Sequence, residues 1–359
     1  MRRYTIKENM SHPQSKVLQK IIDDWRYFAP CLGANITVYD SNYGYSNFTS
    51  GFKSINPEQQ LESQELFYIY SITKTFTAIL VMQLVEKGLV TLNAPITKYL
   101  KNIQLPKEVT VAHLLNHNSG VPSYTDLKNY LSENRAKPSE PWSFEYVIEK
   151  TCNGKLDFLP GEKWDYSNTG YMLLLLMIES VTSNSFAKTV KESIVDKIGL
   201  KNTYVAEDID NNITNGYCRY LNDKREMKNI KDIYNPWWCK TGLIVSTSLE
   251  ITKLYRALFS GQLVNKTSLS EMTKPIPIGQ DAGPHFKKPS YGFGLMIDLE
   301  NTFGASYGHG GDGAGFNTWT IYYPDLNGRT LGVTIFCNTS MGGHPFPLVN
   351  EILEKLTNV

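Results

Sequence analysis

One run of residues limits what this chain can become. From Phe67 to Phe76 it reads Phe-Tyr-Ile-Tyr-Ser-Ile-Thr-Lys-Thr-Phe, and apolar residues continue at Ile79, Leu80, Met82, Leu84 and Val85 before Gly88. The aromatic stretch ends at Ser71. From there Ile72, Phe76, Ile79 and Leu80 keep helical spacing, and the glycine is a stop signal. A helix this apolar must be a core element, so the rest of the chain has to wrap around it. Ser71 then falls in its first turn, with Lys74 one turn on and on the same face.

That placement has a chemical meaning. A serine hydroxyl is a weak nucleophile until a neighbouring base takes its proton. A lysine amine can do so only when neutral, which requires lowering its usual pKa of about 10.4 by several units. Burial among apolar groups disfavours the charged form, and the positive end of a helix dipole acts in the same direction. The same helix end favours negative charge developing near Ser71. Ser-x-x-Lys also occurs at Ser50/Lys53 and Ser185/Lys188. Ser50 lies in a Gly/Ser/Asn-rich stretch and Ser185 opens a polar helix, so only Ser71 heads a core helix.

At 359 residues, with 41% hydrophobic residues and a formal charge of +1, the chain is globular, and it carries no nucleic-acid footprint and no acidic tail. The five cysteines, Cys31, Cys152, Cys218, Cys239 and Cys337, are odd in number and widely spaced. They read as free thiols rather than a disulfide framework. Arg2 and Arg3 are not followed by an apolar segment, so the N-terminus does not read as a secretory signal, and no run is long enough to span a bilayer. An exported chain with its signal removed would look the same. The sequence does not speak to oligomeric state.

Taken in order, Ser15 to Tyr27 reads as an amphipathic helix, and Cys31 to Tyr39 and Tyr43 to Phe52 as strands around an Asp40-Ser41-Asn42 turn. Asn56 to Gln64 reads as a polar loop. From Val90 to about Asp232 strand signals are few. Val111–Leu115, Trp142–Thr151 and Tyr171–Val181 read as helices. Trp319, Ile321 and Tyr323 alternate with Thr318, Thr320 and Tyr322 as in a strand. A hairpin at Pro324–Gly328, a strand at Thr330–Asn338 and a helix at Leu348–Leu356 follow. Strands at both chain ends imply an α+β fold: one antiparallel sheet flanked by helices, with a mostly helical lobe inserted. The expected division is residues 1–90 and 233–359 for the sheet domain and 91–232 for the lobe.

Two further stretches can carry chemistry. Pro160–Tyr171 sets Tyr166 and Asn168 on a loop ahead of a buried helix. A phenol near a lysine can relay a proton, and an amide can hold a donor and an acceptor of a substrate. Tyr-x-Asn recurs at Tyr45/Asn47 and Tyr220/Asn222, so the pattern is weak alone. The other stretch, Tyr307–Phe316, contains His309-Gly310-Gly311-Asp312 and reads as a glycine loop before a strand, whose N–H groups can hold an oxyanion. His113 and His117 have the i, i+4 spacing of a metal pair but lack the intervening glutamate, so structural hydrogen bonding is expected and no metal or other cofactor.

Together, Ser71-Ile72-Thr73-Lys74, Tyr166-Ser167-Asn168 and His309-Gly310-Gly311 resemble the three motifs of serine hydrolases of the penicillin-recognising fold, in the class C β-lactamase and D-alanyl-D-alanine carboxypeptidase branch. The segments His113–Gly120, Gly242–Thr247 and Tyr291–Gly294 add to the resemblance, which runs in order from about Ala34 to Asn338. It implies an acyl-enzyme mechanism. Ser71 attacks a carbonyl, Lys74 and Tyr166 share the proton transfers, and Asn168 orients the substrate. The N–H groups of Ser71 and Asp312 form the oxyanion hole. His309 and Gly310 replace the lysine and hydroxyl residue usual in the third motif. Some carboxypeptidases and D-amino-acid peptidases of the family carry histidine there, so peptidase or esterase work is expected ahead of efficient β-lactam turnover. The expected substrate is a small molecule or short peptide, most of all one with D-residues. The alternatives are a carboxylesterase, a class C-type β-lactamase and a non-catalytic ligand-binding homologue. Aromatics such as Tyr124, Trp142, Trp237 and Trp238 are candidates for the cleft wall.

Overall fold

The computed structural model describes residues 12–29, 31–221, 226–279, 286–340 and 345–357. Among the described residues, nine strands drawn from both chain ends form one sheet. They are β1 (Gly33–Asp40), β2 (Gly44–Ile55), β3 (Glu58–Gln60), β4 (Ile276–Pro277), β5 (Pro289–Tyr291), β6 (Met296–Asp298), β7 (Ser306–Gly313), β8 (Phe316–Leu326) and β9 (Arg329–Cys337). The spatial order is β3-β2-β1-β9-β8-β7-β6-β5-β4, antiparallel throughout. The two chain ends meet where Ile36 lies opposite Ile335 and Val38 opposite Val333.

Both faces of this sheet are covered, and they are covered differently. Ala34, Ile36, Val38, Ile321, Val333 and Ile335 pack against α1 (Ser15–Phe28) and the C-terminal helix Phe346–Thr357 through Leu18, Ile22, Leu348 and Ile352. The residues that alternate with them are largely hydroxylic, and they meet the helix Ser248–Phe259. There Thr37 bonds Ser248 at 2.7 Å, Thr252 bonds Thr334 at 2.8 Å and Thr320 bonds Thr334 at 2.9 Å. Buried hydroxyls are tolerated here because each finds a partner. The alternation read from Thr318 to Tyr323 therefore separates an apolar interior from a hydrogen-bonded one, not interior from solvent.

The apolar run around Ser71 becomes a short strand Phe67–Tyr68, a 3-10 turn Tyr70–Ile72 and α2 (Thr73–Glu86). All residues of α2 from Thr73 to Leu84 are buried. Phe67–Tyr68 pairs with Ile244–Ser246, which also pairs with Tyr204–Val205. From 91 to 232 the described elements are chiefly helices. They include Val111–Leu115, Tyr130–Ala136, Phe144–Thr151 and α3 (Asn168–Thr182), with strands of two residues each. No described helix is long and apolar enough to cross a membrane. All five cysteines are free thiols.

Three expectations need correcting. The polar segment Asn56–Gln64 contains β3, whose backbone pairs with β2 from Phe52↔Gln60 to Ile55↔Glu58. Its side chains are exposed, so its polar sequence carries no strand pattern. The helix expected from Trp142 starts at Phe144, because Ser143 caps it by accepting from the N–H of Tyr146. The helix expected from Tyr171 starts at Asn168, capped by Ser167, whose hydroxyl accepts from Gly170 N–H.

Gly294 is where β5 and β6 approach α2. It has φ +66°, and a Cβ there would stand 2.6 Å from the carbonyl oxygen of Lys74. Gly88, at φ +70°, has nothing within 4 Å of that position. Both substitutions to alanine strain the backbone by about 1–2 kcal/mol, but only Gly294→Ala also forces a clash worth roughly a further 1–3 kcal/mol. Urea unfolding should show a clearly larger loss of midpoint for Gly294→Ala than for Gly88→Ala, and equal losses would contradict this packing.

Candidate active site

Ser71 lies in the 3-10 turn immediately before α2, and Lys74 is the second residue of that helix. The Lys74 ammonium nitrogen donates to Ser71 Oγ at 3.1 Å and to Asn168 Oδ1 at 2.8 Å. It has no exposed surface, whereas Ser71, Tyr166 and Asn168 all keep some. Burial pushes the Lys74 amine down to about 7, and the Cys239 thiol raises it only slightly. Its Nζ lies 4.7 Å from the ring centroid of Tyr166 and 5.5 Å from that of Tyr171. Such contacts favour a cation weakly, and here desolvation outweighs them. Near neutral pH a large share of Lys74 is a free amine one hydrogen bond from an accessible alcohol.

Tyr166 brings its phenol to the Ser71 hydroxyl, and burial drives its acidity far below that of an ordinary tyrosine. It stays a neutral donor and acceptor while Lys74 titrates. Asn168 opens α3 rather than lying in the loop before it, and the cap is Ser167. Its Nδ2 donates to Thr125 Oγ1 at 3.1 Å and its backbone N–H to Ser123 Oγ at 3.1 Å. With Oδ1 held by Lys74 and one Nδ2 proton taken by Thr125, the second Nδ2 proton remains for a substrate acceptor.

The Tyr166 loop is clamped by the segment Asn116–Gly120. His117, at φ 62°, accepts the Ser167 N–H on Nδ1 at 3.1 Å, and its carbonyl accepts from the Asp165 N–H at 2.9 Å. Its ring lies 4.2 Å from that of Tyr166 and 4.6 Å from that of Tyr291. The structural reading of His117 thus holds, and His113 completes a capping box with Thr110.

The third stretch departs from expectation. His309 to Asp312 is not a loop before a strand but the interior of β7, pairing with Thr320 to Asn317 of β8. Glycine permits this strand because of what lies against it. A Cβ on Gly310 would stand 2.6 Å from the Trp319 indole, and one on Gly311 would stand 2.2 Å from the carbonyl oxygen of Ile69. Gly311 therefore faces the Ser71 turn and Gly310 the opposite side. Asp312 is exposed, paired across the strands with Asn317. His309 has no exposed surface. Its Nδ1 donates to the Gly310 carbonyl at 2.6 Å, so its Nε2 accepts the Tyr291 hydroxyl at 2.8 Å. Burial, with Lys74 nearby, pushes this imidazole down to about 3. It is a neutral, fully bonded ring and not the free hydrogen-bonding side chain that a substrate-binding position suggests.

The structure therefore brings Ser71, Lys74, Tyr166 and Asn168 into direct contact and lays β7 against the turn that carries Ser71. The competing patterns resolve as ordinary structure. Ser50 accepts from Arg26 within β2, Ser185 caps the helix Phe186–Val190, and Asn47 bonds Thr37. Asn222 lies outside the described residues. Tyr124 and Trp238 are core residues rather than cleft wall, with Tyr124 donating to the Trp238 carbonyl. Trp142 packs on Trp238, and Trp237 bonds the Glu207 carbonyl. Ser123, Thr125 and Tyr291 position the site without any sequence signal of their own.

A family model described as Beta-lactamase matches residues 31–355. Penicillin-binding protein 4* of Bacillus subtilis (strain 168) is 28% identical over 305 residues, which is 80% of this chain, and the chain spans 63% of that relative's length. A D-stereospecific amidohydrolase from Streptomyces sp. superposes with a TM-score of 0.81 at 26% identity, covering 94% of this chain and 98% of the other. D-amino acid amidase from Ochrobactrum anthropi SV3 gives 0.84 at 21% identity over 97% of this chain and 99% of its own, a likeness of fold.

The depressed Lys74 value has two consequences of known sign. Covalent labelling of Ser71 by a fluorophosphonate should accelerate as pH rises to about 7 and then level off, because the reactive form is the free amine. Between about 7 and the unfolded value of about 10.4 the unfolded lysine keeps a proton that the folded one has lost, so the Lys74 contribution to folding stability should rise with pH across that window. Lys74→Met should abolish the labelling trend and remove the Lys74 share of the stability trend, seen as a stability difference from the unaltered chain that changes with pH from about 7, while Lys240, depressed by burial to about 8, keeps its own share. A labelling rate flat from pH 5 to 9 would contradict the assignment.

Proposed function

The chain belongs to the β-lactamase family, and on that footing we propose that it is a serine acyl hydrolase working through an acyl-enzyme on peptide-like amides, D-residue peptides foremost. The observation that carries this reading is the free amine of Lys74 at 3.1 Å from Ser71 Oγ. In the proposed cycle Ser71 Oγ bonds to the substrate carbonyl carbon as its proton passes to Lys74. The oxyanion is held by the N–H groups of Ser71 and Asp312. The amide nitrogen takes a proton through Tyr166, the C–N bond breaks, and the acyl group stays on Ser71. Water, deprotonated by the same amine, then releases the acid. The division of labour follows from acidity. Lys74 titrates near neutrality and is the base, while Tyr166 is too weak an acid to ionise and serves as a relay.

The names of the relatives, a penicillin-binding protein and a D-stereospecific amidohydrolase, support a peptide or amide substrate. The neutral, fully bonded His309 supports weak β-lactam turnover, since it offers no positive charge to a substrate carboxylate. Within D-residue substrates this neutrality favours those not held by a terminal carboxylate, such as amides and esters of D-amino acids. We also propose that residues 1–90 with 233–359 and residues 91–232 are the two structural units. In support, Ser71 and Lys74 come from the first and Tyr166 and Asn168 from the second.

Intact-protein mass spectrometry after fluorophosphonate or penicillin treatment should show one adduct, lost in Ser71→Ala. An adduct that survives Ser71→Ala would remove the reading. Among p-nitrophenyl esters, a chromogenic cephalosporin, D-amino-acid amides and D-Ala-D-Ala peptides, the amides and esters should turn over fastest. Tyr166→Phe should slow turnover by about 10²–10⁴. Tight binding of the panel without any hydrolysis would instead favour the ligand-binding homologue.

A further inference from the structure

Tyr70, the residue immediately before Ser71, has φ 45°. This is a left-handed conformation that a bulky side chain rarely adopts, and it costs nothing to glycine. The strain has visible counterweights. The Tyr70 ring is buried, and its hydroxyl donates to the carbonyl oxygen of Ala314 at 2.5 Å. The ring lies so close to Gly313 that a Cβ on that residue would stand 2.2 Å from Cε1. One residue earlier in the chain, the Ile69 carbonyl accepts from Thr318 Oγ1 at 3.1 Å, and a Cβ on Gly311 would stand 2.2 Å from it. Asp312 is thus flanked by two glycines, each pressed against one of the two residues that precede the nucleophile.

We infer that Tyr70 is a positioning residue whose strained backbone and anchored ring fix the gap between the Ser71 turn and the β7 backbone at Asp312, and so set the width of the oxyanion hole. The inference deepens the acyl-hydrolase reading and rests on it. Backbone strain of this kind persists only where the surroundings over-determine it, and here two hydrogen bonds and two glycine contacts do so. Glycine, which has no Cβ, would relieve the strain, so the tyrosine is present for its ring and hydroxyl. The width of an oxyanion hole matters to the tetrahedral intermediate more than to the bound substrate, so disturbing it lowers kcat and leaves KM nearly unchanged. A tyrosine that merely filled the core would alter stability without that split.

The test compares hydrolysis of a p-nitrophenyl ester by the unaltered chain and by Tyr70→Phe, Gly313→Ala and Tyr70→Gly, each confirmed as folded at the assay temperature by its unfolding midpoint. Tyr70→Phe removes only the bond to Ala314 and should lower kcat about tenfold, with KM within about twofold. Gly313→Ala drives a methyl group into the ring and should lower kcat about a hundredfold with the same unchanged KM. Tyr70→Gly relieves the strain yet removes both anchors, and it should be no faster than Tyr70→Phe. Wild-type kcat in Tyr70→Phe and Gly313→Ala, or in Tyr70→Gly, would overturn the inference, as would losses expressed mainly in KM. Failure of the unaltered chain to label at Ser71 would instead overturn the acyl-hydrolase reading itself, so the two failures are distinguishable.

Discussion

The contact on which the rest depends is a lysine that sheds its proton near neutral pH beside an alcohol. An amine in water is protonated at neutral pH and useless as a base, so the protein has to desolvate it. It does so with a helix whose first three turns are buried on every side, packed against α3 and the aromatic rings of Tyr166 and Tyr171. Had a carboxylate been placed beside Lys74, the amine would have been restored to its cationic form. The partners provided are an amide oxygen and a hydroxyl, which hold the amine in place without charging it.

A site of this kind cannot be built locally. Ser71 and Lys74 share one helix start, but the phenol and amide come from the loop that opens α3, and the facing backbone comes from β7 near the other end of the chain. Each contributor is fastened by groups that take no part in the proposed chemistry. His117 holds the Tyr166 loop, Ser123 and Thr125 hold Asn168, and Thr318 ties Ile69 to β8. The buried hydroxyl network between the sheet and the helix Ser248–Phe259 serves the same end at longer range, because a fully partnered polar interface resists sliding.

His309 shows how position and environment can diverge. The residue falls at the place in the third motif where a cation is usual, yet burial and two hydrogen bonds make it a neutral support for the Tyr291 hydroxyl. The buried lysine nearby is part of the reason, since a second positive charge beside Lys74 would be repelled. A proton on Lys74 thus disfavours one on His309, whose burial already does so.

Elements whose signal is local were legible in the chain before folding. The apolar run after Ser71 could only be a core helix, the alternation from Thr318 to Tyr323 could only be a strand, and Ser71 and Lys74 share a face because three residues make about one helical turn. Whatever depended on groups far apart in the chain was decided by tertiary structure. β3 became a strand because β2 offered it an edge, His309 to Asp312 became a strand because Ile69 and Trp319 left room only for glycine, and Asn168 found its amide fixed by Lys74, Thr125 and Ser123. The acidity of Lys74 belongs to the same class: spacing put the amine within reach of the alcohol, but only the packing of distant segments around it could take away its charge.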